Sequence, residues 1–223
     1  MSDRELIDRI ERASGLDGKA NPGAALRRFA DRAQEEGLLD VAYAMADSPL
    51  GELLVAATDR GVVRVAYIDE HVGREEVLED LARRVSPRVL EAPARLDDAR
   101  RQLDDYFDGR RAEFDLPVDL SLVAPFTDRV LTRTAAIPPG QVLTYGEVAA
   151  EIGHARAARA VGNALGSNPI PIVVPCHRVV RSGGGLGGYT GGTHRKEHLL
   201  DLERGGQARL GVRRAARTTP SPP

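Results

Sequence analysis

The apolar residues of this chain change period three times, and each change predicts a different kind of element. In the first 40 residues they recur at helical spacing. Leu6, Ile7 and Ile10 share one face of a predicted helix over Asp3–Ala13, and Leu26, Phe29 and Ala33 share one face of a second over Pro22–Glu36. The GLDGKANPG stretch between them reads as a loop. From residue 41 the pattern becomes strand-like. Glu52–Thr58 and Val62–Ile68 flank Asp59-Arg60-Gly61, which predicts a β-hairpin. Helical stretches follow at Glu75–Val85 and Leu96–Phe107, and Ala112–Val118 could add a strand. The expected architecture here is a small acidic α+β unit built on an antiparallel sheet.

Beyond residue 124 the chain reads as helical, then irregular. A helix at Phe126–Ala136 stops at Ile137-Pro138-Pro139-Gly140. Thr144-Tyr145-Gly146-Glu147 fits a capping box that opens a short helix through Ile152. After Gly153 a second helix is expected from Ala155 to Ser167, ended by Asn168-Pro169. Two short helices across a glycine turn have the outline of a helix-turn-helix. On the second, Arg156, Arg159 and Asn163 fall on one face, opposite Ala157, Val161 and Leu165. A solvated arginine face and a nucleic-acid-binding face both fit that pattern.

Composition sharpens this choice. The 223 residues are 42% hydrophobic and 29% charged, ordinary for a globular chain. No apolar run approaches the roughly 20 residues of a membrane span, and the charged start MSDRELIDRIER does not read as a signal peptide. Net charge is −2, but residues 125–223 hold 13 Lys+Arg against 6 Asp+Glu, a net of +7, which leaves −9 on residues 1–124. An acidic half joined to a basic half suggests that only the second half meets a polyanion. The single cysteine, Cys176, excludes an internal disulfide and any multi-cysteine zinc site. The expected setting is reducing and cytoplasmic.

Candidate chemistry gathers around that cysteine. Cys176 follows an apolar stretch, Pro169 to Pro175, read as extended, and is followed by His177 and Arg178. Cationic neighbours are expected to favour thiolate over thiol, against a free-cysteine pKa of about 8.5. In an extended segment adjacent side chains point to opposite faces, so His177 would act on Cys176 through a water or a local turn. A papain-like arrangement would instead need His71, His154, His194 or His198. Residues 183–192 hold seven glycines and formally contain GxGxxG, but no helix opens on them within a βαβ unit, so a loop close to a ligand fits better. His194 and His198 read as solvated helix residues. Glu203 falls on the apolar side of the last helix, where a carboxylate needs a partner, and His177 is a candidate.

Taken together, Ala158-Arg159-Ala160-Val161-Gly162, Asn168-Pro169, Pro175-Cys176-His177-Arg178-Val179 and Gly188-Tyr189-Thr190-Gly191-Gly192 resemble the O6-alkylguanine-DNA alkyltransferase family, the methylated-DNA–protein-cysteine methyltransferases. The likeness is strongest over 125–205 and looser from 41. It implies an α+β protein: a ribonuclease-H-like N-terminal domain over 41–124 and a winged helix-turn-helix-type DNA-binding and alkyl-acceptor domain over 125–209. A helical extension at 1–40 has no assigned role, and 210–223 is expected to be a flexible tail.

The resemblance further implies repair by one irreversible transfer of an alkyl group from O6-alkylguanine in duplex DNA, with O4-alkylthymine a further candidate substrate. Cys176 would be the acceptor, linked through water to His177 and Glu203. Tyr145 would donate to the base and Asn168 would brace the turn before the cysteine. In the minor groove Arg159 would replace the flipped base, Ala157 and Ala158 would allow close approach, and Arg156 and Ser182 would add DNA contacts. Tyr189, Thr190, Val179 and Leu165 would form the base pocket. No metal or other cofactor, membrane or obligatory protein partner is implied. A sensor that binds alkylated bases without repairing them is the alternative class.

Overall fold

The computed structural model describes residues 37–210, together with Arg28, Arg32 and Ala33 before them; of 206–210 only the backbone is described. The helix expected at Asp3–Ala13 and the tail beyond Leu210 lie outside the described residues. Of the second expected helix, Arg32 and Ala33 are helical, as is Arg28, and Ala33 is buried in the main core.

Three strands follow one another as antiparallel neighbours: β1 (Val41–Ala46), β2 (Glu52–Thr58) and β3 (Gly61–Ile68). The hairpin between β2 and β3 forms where the sequence places it. Gly61 takes φ +136°, and a Cβ there would lie 2.2 Å from the Pro117 carbonyl oxygen, so both conformation and space require glycine. The expected all-antiparallel sheet is corrected by β4 (Val89–Glu91), which pairs parallel to β1 and gives the order β3-β2-β1-β4. Helix α1 (Arg74–Arg84) crosses between β3 and β4, and such a crossover permits the parallel pairing. The strand expected over Ala112–Val118 is reduced to one isolated bridge, Val62 to Val118.

Both faces of this sheet are covered, so the strands read as nearly continuous apolar runs. Leu54, Ala56, Val63 and Ala66 pack against Val77 and Leu81 of α1. Leu53, Val55, Val65 and Tyr67 face the larger core, which includes Leu103 and Tyr106 of α2 (Asp97–Phe107) and continues into the second half of the chain. A register shift at Ala56/Ala57 changes the alternation in β3 and puts Val62 on the same face as Val65.

The second half contains α3 (Pro125–Ala135), α4 (Tyr145–Glu151), α5 (Ala158–Gly166) and α6 (Thr193–Leu210), with a two-stranded parallel pair, β5 (Leu143–Thr144) and β6 (Val179–Val180). The capping box at α4 forms: Thr144 Oγ1 accepts from the Glu147 amide and Glu147 accepts from the Thr144 amide. Helix α5 starts three residues later than expected. A tight turn, in which the Ala157 amide bonds the His154 carbonyl, takes up Arg156. Arg156 therefore precedes the helix, and the polar face comprises Arg159 and Asn163 without it.

The two halves share hydrogen bonds as well as core. The Val65 amide donates to the Pro169 carbonyl at 2.9 Å, and the Tyr106 hydroxyl donates to Glu203 on α6 at 2.9 Å. The sheet side of the molecule thus braces the turn that leads to Cys176.

Candidate active site

The apolar stretch before Cys176 is not extended. The Val174 amide donates to the Ile170 carbonyl, and Ile172 takes φ +74°, the one positive φ at a non-glycine among the described residues. A β-branched residue in that region is strained and persists only where the surroundings fix it. Asn168 does much of that fixing. Its Oδ1 accepts from the Ile170 amide at 3.0 Å, and its Nδ2 donates to the Val174 carbonyl at 2.9 Å and to Cys176 Sγ at 3.2 Å. Cys176 then opens a single 3₁₀ turn, Cys176–Arg178, followed by β6. This local turn, rather than a strand, determines where His177 and Arg178 point.

Both enter the core. His177 is wholly buried, and its Nε2 lies 2.8 Å from Glu203 Oε1. Arg178 is buried too. Its Nε meets both oxygens of Glu203 at 3.1 and 3.0 Å, its Nη2 reaches Oε1 at 2.7 Å, and its Nη1 donates to the Ile137 carbonyl. The Glu203 carboxylate also accepts from the Tyr106 hydroxyl and from the Gly140 amide at 3.2 Å. Burial alone would raise this carboxyl, but the hydrogen bonds from His177 and Arg178 outweigh it and bring it down to about 2. An ionised carboxylate only accepts, so His177 Nε2 carries the proton. Burial lowers the pKa of His177 below its usual value, which keeps the ring neutral and leaves Nδ1 as a bare acceptor. That Nδ1 is buried and has no protein partner.

The thiol differs from the sequence expectation. Burial pushes Cys176 up to about 11, against the hydrogen bond from Asn168 and the charge of Lys196, which act in the opposite sense. Arg178 spends its charge on Glu203, so the neighbouring cations do not make a resting thiolate. Deprotonating this thiol at neutral pH takes a base.

Cys176 lies in the wall of a cavity of about 820 Å³ between α5, the start of α4 and the glycine-rich loop. Of the residues predicted from sequence, Tyr145, Ala158, Arg159, Leu165, Ser182, Tyr189 and Thr190 line it with Cys176. His177, Glu203 and Asn168 stand behind the cysteine, and Val179 and Ala157 do not line the cavity. The Val179 carbonyl is taken by Lys196 Nζ at 2.6 Å. The exposed Arg159 makes no hydrogen bond or ion pair among the described residues. Tyr145 accepts a backbone hydrogen bond from Gly188, and burial raises its pKa, so its hydroxyl keeps a proton to donate. Gly187, at φ +72°, comes so close that a Cβ would lie 2.5 Å from the Tyr145 hydroxyl. The GxGxxG match opens no helix, and His71, His154, His194 and His198 are all exposed, which removes the papain-like arrangement.

With this geometry in place, the likeness to known proteins covers both halves. Residues 41–120 match the model for the 6-O-methylguanine DNA methyltransferase ribonuclease-like domain, and 125–205 match that for the DNA binding domain of the same family. The chain belongs to the 6-O-methylguanine DNA methyltransferase family. A methylated-DNA–protein-cysteine methyltransferase of Mycolicibacterium paratuberculosis is 40% identical over 164 residues, 74% of this chain and 93% of that protein. The constitutive enzyme of that name from Bacillus subtilis is 36% identical over 164 residues, 73% and 94% respectively. A crystal structure of Mycobacterium tuberculosis OGT in complex with DNA superposes with a TM-score of 0.64 at 38% identity, covering 74% of this chain and 94% of that one.

Tyr106, Tyr67, Lys196 and the buried role of Arg178 were not legible as parts of this site from the sequence. Lys196 had a signal: it is one of two lysines in the chain and shares a helical face with Leu199, Leu200 and Glu203. It is fully buried, and burial lowers its pKa to about 8. Tyr106 had none, since it meets Glu203 from 97 positions away.

Two outcomes follow from the carboxylate and the thiol. Glu203→Gln leaves Arg178 without its counter-charge and should cost about 3 kcal/mol in urea denaturation at neutral pH. Because the folded pKa of Glu203 is depressed, its contribution is present above its unfolded value near 4.5 and is lost as pH falls towards 2; the gap between wild type and variant should close over that window. Iodoacetamide labelling of Cys176 should accelerate about tenfold per pH unit from 7 to 9, as expected well below the thiol pKa. A plateau inside that range would show a resting thiolate.

Proposed function

We propose that this protein repairs alkylated DNA by a single, irreversible transfer of the alkyl group from O6-alkylguanine in duplex DNA to Cys176. The observation that carries the proposal is the arrangement behind the cavity. Its only thiol is backed by a neutral, buried imidazole whose free Nδ1 is kept basic by Glu203. That is a nucleophile with an oriented base, and the reaction needs nothing more redox-active or metallic. His177 Nδ1 takes the thiol proton through a bridging water, a role that suits a buried nitrogen without a protein partner. The Cys176 sulfur then forms a bond to the alkyl carbon while the carbon–O6 bond breaks, and the electron pair leaves with the guanine. Tyr145 donates its hydroxyl proton to the base and so improves the leaving group. Asn168, which already donates to Sγ, stabilises the charge as it develops.

For the base to reach Cys176 it must leave the helix, at a cost of a few kcal/mol. Arg159, exposed at the start of α5 and at the rim of the cavity, fills the space left in the stack. Ala157 and Ala158 let α5 approach the groove closely, while Ser182, in the cavity lining, and Arg156, just ahead of α5, contribute DNA contacts. Leu165, Tyr189 and Thr190 enclose the base, and Val179 supports the wall from behind.

Among the described residues no helix is long and apolar enough to cross a membrane. We place the protein in the cytoplasm, where a reducing environment keeps the acceptor thiol free.

Incubation with a duplex carrying O6-methylguanine should add one methyl mass to the peptide holding Cys176, at one equivalent per protein, and none in Cys176→Ser. Transfer that persists in that variant would sink the mechanism. Unimpaired lesion binding by the wild-type protein without any mass change would favour a damage sensor instead. Arg159→Ala should slow repair of the duplex at least tenfold while leaving attack on free O6-methylguanine within about twofold. Equal losses on both substrates would remove Arg159 from base extrusion.

A further inference from the structure

One wall of the cavity is held by the opposite half of the molecule. The Tyr189 ring lies between two others, with its centroid 6.4 Å from that of His177 and 6.3 Å from that of Tyr67 on β3, both edge-on. The Tyr189 and Tyr67 hydroxyls are 2.9 Å apart, and neither has another side-chain partner among the described residues. Tyr67 is itself fixed. Arg195 of α6 stacks over its ring at 4.3 Å, and the guanidinium is tied to Asp69 at 3.0 and 3.1 Å, to the Leu50 carbonyl at 3.1 Å and to the Gly191 carbonyl at 3.1 Å. The loop lies flat against this pair, for a Cβ on Gly191 would come within 2.7 Å of the Tyr67 ring and 2.8 Å of the Arg195 side chain. Sheet, loop and last helix therefore meet at Tyr67, next to Tyr189, whose ring both lines the cavity and meets His177.

We propose that Tyr67 is a positioning residue that sets the size of alkyl group the pocket accepts, by holding Tyr189 against the wall beside Cys176. It rests on the functional reading above and adds a specificity determinant from the sheet half. The phenol pair fixes the Tyr189 ring at its hydroxyl, and the edge-on contact with His177 fixes its tilt. Without the Tyr67 hydroxyl, the Tyr189 hydroxyl loses its partner and turns towards water at the mouth of the cavity, as a partly buried donor must. The wall then opens where the O6 substituent sits. A small methyl group loses its alignment with the sulfur, whereas a benzyl group gains room. Tyr67→Phe isolates this effect, since the ring, its stacking with Arg195 and its contact with Gly191 all remain.

The test is single-turnover transfer to Cys176 from duplexes carrying O6-methylguanine or O6-benzylguanine, in wild type, Tyr67→Phe, Tyr189→Phe and the double variant. We expect Tyr67→Phe to slow methyl transfer about fivefold and to slow benzyl transfer by less than twofold, so that the benzyl-to-methyl ratio rises. The double variant should match Tyr189→Phe alone, as a pair acting through one hydrogen bond must. A ratio that stays at the wild-type value, or losses that simply multiply in the double variant, would overturn the proposal. A second readout is independent of transfer. The chain has five tyrosines, so ring-labelled tyrosine NMR can follow Tyr189 individually. Its resonance should shift in Tyr67→Phe, and an unmoved resonance would also overturn the proposal. Absence of transfer by the wild-type protein would instead sink the functional reading, with the Tyr189 resonance still deciding whether Tyr67 holds that ring.

Discussion

A carboxylate buried at the centre of the molecule must be surrounded by donors, and Glu203 is: His177, Arg178, Tyr106 and the Gly140 amide all converge on it. The four donors come from three separate stretches of chain, and the carboxylate from a fourth. Tyr106 brings the sheet half, Gly140 the loop after α3, His177 and Arg178 the turn after the cysteine, and Glu203 itself the last helix. An uncompensated charge at such depth would cost several kcal/mol, so these segments can only fold together. The same carboxylate selects the histidine tautomer, and so the constraint that assembles the core also leaves Nδ1 of His177 as an acceptor, as the proposed base requires.

The charge on Arg178 is absorbed by this arrangement. A cationic neighbour alone would lower the thiol pKa, yet Cys176 is raised, because it is buried and the adjacent Arg178 guanidinium is paired with Glu203. A thiol that stays protonated until a base is engaged is protected from adventitious alkylation and oxidation. For a protein that can react once, such restraint preserves the only acceptor it has.

The sheet half, acidic and distant in sequence, is more than a scaffold. Through Tyr106 it touches the carboxylate, through the Val65 amide it holds the turn before the cysteine, and through Tyr67 it reaches the cavity wall. The turn itself carries strain at Ile172, which Asn168 and the surrounding core maintain. The cysteine therefore sits where packing from both halves puts it, and neither half alone contains the whole constellation.

Much of this was legible in the chain. Alternation and helical spacing located the β2–β3 hairpin and helices α1 to α4, because these depend on local period and on caps such as Thr144 and Glu147. The order of Arg159, Asn168, Cys176, His177 and Tyr189 marked the family, since reactive chemistry needs particular residue types. Local signals could not supply the parallel fourth strand, the late start of α5 or the 3₁₀ turn at Cys176, which depend on pairing and packing with distant segments. Nor could they supply the protonation states: the sequence places a histidine and an arginine beside a cysteine, but only burial and partners decide which groups are charged. Tyr106 and Tyr67 show the limit most clearly. Their hydroxyls matter because folding brings them to Glu203 and Tyr189, 97 and 122 residues away, and no period or motif encodes contact at that separation.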